Sequence, residues 1–129
     1  MASIFSRIVN GEIPAHKIAE NDDFLAFLDA FPIAKGHTLV IPKKEIDYLF
    51  DLDDATYTGL LLFAKNIAPA LEKAVPCLRI GVSVIGLEVP HVHIHLIPLN
   101  SMSDADFSKK ISISQEELAS LASQIREKL

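Results

Sequence analysis

The chain has 129 residues, half of them hydrophobic, with a formal net charge of −5 and one cysteine, Cys77. That length suits one domain burying roughly two-thirds of its unfolded surface, and the apolar content argues against disorder. The acidic balance speaks against binding nucleic acid or an anionic membrane by bulk charge, and a lone cysteine permits no internal disulfide, which suits a reducing compartment.

No stretch reaches the ~18 uninterrupted apolar residues of a membrane span, and the N-terminus lacks a basic-then-apolar signal pattern. A soluble, cytoplasmic domain over residues 1–129 is the expectation. Ile4, Phe5, Ile8 and Val9 fall at amphipathic-helix spacing within Ser3–Val9, with Ser3 as the cap and Asn10-Gly11 as the end. Lys17–Glu20 and Phe24–Asp29 read as strands around the turn at Asn21-Asp22-Asp23. His37–Ile41 reads as a third strand stopped by Pro42, which cannot continue a central ladder.

Asp53 or Asp54 caps a long apolar helix reaching about Val75, which Pro69 should bend or split. Leu78–Ile85 is a fourth strand and His91–Pro98 a fifth. Residues 100–113 are polar and loop-like. Ser114 and Glu117 then form a capping box for a final helix to about Lys128. The order of elements predicts an α+β domain with a five-stranded, mostly antiparallel sheet, a long helix and a C-terminal helix.

The segment His91-Val92-His93-Ile94-His95-Leu96-Ile97-Pro98 holds three of the chain's five histidines. Side chains alternate along a strand, so the imidazoles share one face and Val92, Ile94 and Leu96 the other. The apolar face belongs to the core. Three readings compete for the histidine face. Surface imidazoles are the plainest, although strict period two is a poor way to cover a sheet. A metal is the second, but the outer two histidines lie about 13 Å apart on an extended strand, and no Cys pair or Glu-x-x-His spacing adds ligands. The third is nucleophilic catalysis on phosphorus. An imidazole with an ordinary pKa near 6.5 is mostly unprotonated at neutral pH, and flanking imidazoles can handle protons and phosphate charge.

The His-φ-His-φ-His-φ-φ pattern at His91–Ile97 resembles the histidine triad (HIT) family of nucleotide hydrolases and transferases, in its Hint-like branch. Three further segments carry the resemblance. Ser3–Pro14 is similar to the family's opening helix and Glu-Ile-Pro, Phe24–Asp29 to its strand ending in Asp, and Lys35–Lys44 to its Gly-His-φ-Leu-Val-φ-Pro-Lys segment. The resemblance implies a five-stranded antiparallel sheet paired into a homodimer, no cofactor, and a nucleotide substrate. It implies hydrolysis of purine nucleoside 5'-phosphoramidates or related activated nucleotides to the nucleoside monophosphate. Dinucleoside polyphosphate hydrolysis is an alternative, with Lys43, Lys44 and Arg79 as candidate contacts for the added phosphates. Nucleotide binding with little turnover is another.

In this resemblance His93 attacks the α-phosphorus, His91 and His95 flank it, and His37 is a fourth histidine beside the triad. Asp29 accepts from the ribose hydroxyls, while Ile4, Phe5, Ile8, Phe27 and Leu28 surround the base. The residues also depart from the family pattern. Leu87 stands where many members have a phosphate-holding Gln, Glu88 where a small hydroxyl residue is usual, and Ser83 where an Asn is usual. Ser83 and Glu88 therefore enter the nucleotide-binding set with altered chemistry, and leaving-group selection is open. Ser3, Ser6 and Glu45 replace the Cys, Cys and His that bind structural zinc in some members, so no metal is expected. The segment 100–129 is a C-terminal extension expected to pack on its own domain. Covering a partner's active site and joining the dimer contact are its alternatives.

Overall fold

The computed structural model describes residues 2–129. Its sheet is built from β1 (Lys17–Glu20), β2 (Phe24–Leu28), β3 (Thr38–Pro42), β4 (Arg79–Ser83) and β5 (Ile94–Leu99), in the spatial order β1-β2-β3-β5-β4. All four pairings are antiparallel. Helices α1 (Ile4–Val9), α2 (Asp54–Ala74) and α3 (Gln115–Lys128) complete the expected α+β fold, with short 3-10 turns at Leu49–Asp51 and Met102–Ala105.

Every residue of β2 and β3 is buried, because helices cover both sheet faces, and this explains their unbroken apolar sequence. Phe24, Ala26, Leu28 and Val40 join a core with Leu60, Ile67 and Leu71 of α2 and Leu118, Leu121 and Ile125 of α3. Leu25, Phe27, Leu39 and Ile41 point the other way, onto Phe5 and Ile8 of α1. Val92, Ile94 and Leu96 belong to the α2 side, so the histidines between them are left to the α1 side, as their alternation requires. Helix α3 packs into the same core as α2.

Several boundaries differ from expectation. β5 starts at Ile94, so His91 and His93 precede the ladder in an irregular segment. There His91 N–H donates to the Val89 carbonyl at 2.8 Å and Val92 N–H to the Ile46 carbonyl at 2.8 Å. β2 and β3 leave Asp29 and His37 just outside their ends, where the Asp29 N–H still donates to the His37 carbonyl at 2.9 Å. Pro42 closes β3 as its last residue, opposite Phe24. Helix α2 is one continuous element of 21 residues that contains Pro69, capped by Asp53, whose carboxylate accepts the Thr56 N–H at 2.7 Å. Ser114 caps α3 by accepting the Glu117 N–H at 3.1 Å, and Glu117 answers by accepting the Ser114 hydroxyl, not its backbone N–H.

Gly36 sets His37 in place. Its φ is +89°, and an added Cβ would lie 3.0 Å from Val75, 3.1 Å from Pro98 and 3.2 Å from Leu71. Both the positive φ and the crowding oppose a side chain there. Gly36→Ala should lower stability by about 1–3 kcal/mol, read as an earlier urea midpoint with unchanged slope; an unchanged midpoint would show that this turn relaxes freely.

Candidate active site

Four imidazoles gather on the α1 side of the sheet, and backbone groups decide which nitrogen of each carries hydrogen. His93 Nδ1 lies 2.7 Å from the His91 carbonyl oxygen. A carbonyl only accepts, so Nδ1 is the protonated nitrogen and a neutral His93 keeps its lone pair on Nε2. The Ile33 N–H donates to His37 Nδ1 at 3.2 Å, which puts the His37 proton on Nε2. That proton is donated to His95 Nδ1 at 2.9 Å. His95 in turn must carry its hydrogen on Nε2. The rings of His93 and His95 are 4.9 Å apart and both line one cavity of about 650 Å³. The cavity thus meets a lone pair from His93 beside an N–H from His95.

Burial keeps this chain neutral. Desolvation pulls the His37 pKa down to about 4, against the pull of the Asp29 carboxylate, and takes His95 down to about 3 with help from His37 and His93. The Asp29 Oδ2 lies 3.5 Å from His37 Nε2; with His37 neutral this contact is not an ion pair. Asp29, His37 and His95 stand close enough to bracket a cation. The Ile33 N–H argues against it, because it occupies Nδ1 and leaves His37 Nε2 protonated, with no lone pair for a metal.

His91 is turned from the cavity and fully buried. Its Nε2–H donates to the Pro42 carbonyl at 2.8 Å, so Nδ1 accepts the Ser3 hydroxyl at 2.9 Å. Glu45 accepts both the Ser3 N–H and the Ser6 hydroxyl, the latter at 2.7 Å. These donors, Ser3 N–H first, hold the Glu45 pKa down to about 2. Ser3 also caps α1 through the Ser6 N–H at 3.0 Å. The four groups thus satisfy one another by hydrogen bonds and fasten α1 to the segment that presents His93. Phe5 of α1 stands edge-on to His93 at 5.0 Å and to Phe27 at 5.6 Å.

Ile4, Phe5, Ile8, Phe27, Asp29 and Glu88 all line the cavity with His93 and His95. Leu28 borders it, but its side chain packs in the α2 core, since adjacent strand residues cannot both face inward. Ser83 pairs with His95 across β4 and β5 without lining the cavity. Lys43, Lys44 and Arg79 do not line it either; Lys43 pairs with Glu20 at 2.8 Å. Phe107, Lys110 and Gln115 do line it and were not expected. The one signal for them was a lone aromatic residue in the polar stretch 100–113. His16, also on the rim, donates from Nε2 to the Gln115 side-chain oxygen at 2.8 Å.

The family model for the HIT domain matches residues 10–102. The adenosine 5'-monophosphoramidase of Saccharomyces cerevisiae is 35% identical over 131 residues, covering 93% of this chain and 83% of its own. That of Schizosaccharomyces pombe is 33% identical over 135 residues, covering 100% and 99%. A crystal structure of a Hit-like protein involved in cell-cycle regulation from Bartonella henselae matches with a TM-score of 0.87 and 35% identity, over 98% of this chain and 96% of that one.

The neutral imidazole chain carries a pH signature. Unfolded histidines take up protons below about pH 6.5, whereas folded His37 and His95 stay neutral to about 4 and about 3. Within that window the unfolded state binds more protons, so stability is full above pH 6.5 and falls as pH drops toward 4. A loss on the order of 2 kcal/mol or more between pH 7 and 5 is expected, with a shallower slope in His95→Asn. A flat thermal-stability profile over that range would contradict it.

Proposed function

The chain belongs to the HIT domain family, and on that premise we propose that it is a nucleotide hydrolase acting through a covalent nucleotidyl-His93 intermediate. Its substrates in this reading are purine nucleoside 5'-phosphoramidates or closely related activated nucleotides. The observation that carries the reading is the pairing of a free His93 Nε2 with a His95 Nε2–H at one cavity wall. Relatives named as adenosine 5'-monophosphoramidases support the same direction.

The base lies against Ile4, Phe5, Ile8 and Phe27, and Asp29 accepts from the ribose hydroxyls. His93 Nε2 attacks the α-phosphorus, a P–N bond to the imidazole forms, and the bond to the leaving nitrogen breaks. The departing electron pair stays on that nitrogen, which leaves as the amine with a proton from solvent at the open mouth. Water then attacks phosphorus and gives up a proton to solvent, the pair of the P–imidazole bond returns to Nε2, and the nucleoside monophosphate departs. The His91 carbonyl stabilises the positive charge that His93 acquires while bonded to phosphorus. His95 serves as a hydrogen-bond donor to the phosphoryl oxygens. Double protonation would break its bond from His37, so the chain opposes a role for His95 as a proton donor. His37 and His91 act as positioning residues, one through His95 and the other through its carbonyl and α1.

A second reading, nucleotide binding without useful turnover, is kept alive by Leu87 and Glu88. Leu87 is 89% exposed and cannot donate a hydrogen bond to a phosphate, and Glu88 brings a carboxylate to the cavity. Steady-state assay of adenosine 5'-phosphoramidate separates the two. His93→Ala should cut turnover by at least roughly 10³-fold, because it removes the attacking group itself, while AMP affinity changes only a few-fold. No hydrolysis by the unaltered protein, with AMP still bound, would establish the second reading.

The same proposal includes a homodimer. β4 is an edge strand, and Val82 on it, Ile85 just beyond its end, and Leu61 and Leu62 on α2 stay exposed. An unpaired edge with apolar neighbours favours pairing with a second copy. Sedimentation should give a dimer that Val82→Lys weakens; a monomer at micromolar concentration would contradict this.

A further inference from the structure

Helix α1 supplies Ile4, Phe5 and Ile8 to the apolar wall of the cavity, yet it is only 6 residues long. A helix that short is marginal by itself, because its first turn fixes several residues for very few bonds. Its order depends on what ties it to the rest of the chain. Phe5 and Ile8 pack against Leu25, Phe27, Leu39 and Ile41, and apolar contact of this kind has no direction of its own. The directional ties are hydrogen bonds. Among the described residues, every side-chain hydrogen bond from α1 or its cap to a distant segment ends on Glu45 or His91.

The bonds to Glu45 follow a capping pattern that is split across the chain. In a capping box the N-cap side chain accepts the N–H of the third helical residue, whose own side chain accepts the N-cap N–H in return. Ser3 performs the first half, accepting the Ser6 N–H at 3.0 Å. The third helical residue is Ser6 itself, and its hydroxyl is donated to Glu45 Oε1 at 2.7 Å. The Ser3 N–H goes to the same Glu45 oxygen. Glu45 thus supplies, from 42 positions away, the carboxylate that the box lacks. It is mounted on fixed backbone: the carbonyl of the next residue, Ile46, accepts the Val92 N–H at 2.8 Å, and the Ile46 side chain packs on the large core. Glu45 itself is exposed and borders no part of the cavity.

We propose that Glu45 is a positioning residue for the nucleobase, completing the α1 cap across the fold and so setting how Ile4, Phe5 and Ile8 meet the base. Without it the first turn of α1 frays, the apolar wall loosens, and the nucleotide loses base contact. The histidine pair keeps its tautomers, because the His91 Nε2–H stays bonded to the Pro42 carbonyl and holds the backbone that orients His93. The inference rests on the nucleotide-hydrolase reading above.

Adenosine 5'-phosphoramidate and ribose 5-phosphoramidate test it, since the second lacks only the base. Glu45→Ala should lose roughly 3- to 10-fold in kcat/KM on the adenosine compound, mostly as a higher KM, and less than about 2-fold on the base-free one, the scale of a lost helix cap. Water takes over part of an exposed acceptor's task, which keeps the effect within that range. Glu45→Gln retains an acceptor oxygen and should recover most of the loss. Ser6→Ala removes one of the two bonds and should show a smaller loss of the same pattern; it decides the matter by itself if Glu45→Ala does not fold. Equal losses on both compounds, as a merely destabilised fold would give, or no loss on either, would overturn the proposal. If the unaltered protein hydrolyses neither compound, the hydrolase reading fails by itself. Calorimetric affinities of AMP and ribose 5-phosphate then decide the role of Glu45: a loss confined to AMP in Glu45→Ala upholds it, and equal losses or none refute it.

Discussion

The hydrogen bond from His93 Nδ1–H to the His91 carbonyl, at 2.7 Å, is the constraint on which the rest of the site depends. It removes the tautomeric freedom of one imidazole and leaves a lone pair on the nitrogen that meets the cavity. The carbonyl itself is fixed because His91 is held from both ring nitrogens, by Pro42 and by Ser3. A second backbone group, the Ile33 N–H, does the complementary work through His37. One backbone acceptor and one backbone donor therefore give adjacent histidines opposite characters. No side-chain carboxylate has to do it.

That arrangement follows from how the sheet is covered. β5 places Ile94 and Leu96 in the large core beneath α2 and α3, and this packing turns the imidazoles toward α1. The short helix α1 then has two tasks. Phe5 and Ile8 close the apolar end of the cavity, and Ser3 and Ser6 bind the His91 and Glu45 pair that anchors the histidine segment. Stability and site geometry are coupled here because the same buried imidazoles set both. Their desolvation keeps them neutral and makes the fold sensitive to acid.

Much of this was legible in the sequence, and the reasons are physical. Period two at His91–Pro98 separated a histidine face from an apolar face, and the apolar members do lie in the core. Caps at Ser3, Asp53 and Ser114 were readable because a side-chain oxygen before an apolar run has one cheap use. Alternation failed as a guide in finer matters. It could not tell that β5 begins only at Ile94, since His91 and His93 keep the pattern while their backbone bonds go elsewhere. It also gave no warning that Leu28 turns from the cavity while Phe27 faces it, because β2 is apolar on both sides. Phe107 and Lys110 went unassigned for a different reason. Their contacts to His95 and the cavity cross long sequence separations, and turn chemistry places them without any periodic signature.

Hydrolysis in this site turns on whether His93 Nε2 becomes bonded to phosphorus. Intact-protein mass spectrometry after brief mixing with adenosine 5'-phosphoramidate, quenched in the first turnovers, tests it most directly. A transient adenylyl adduct is expected on the unaltered protein, mapped by fragmentation to His93, absent from His93→Ala, and decaying as AMP appears. AMP accumulating with no adduct at any time, or an adduct mapped to another residue, would contradict it.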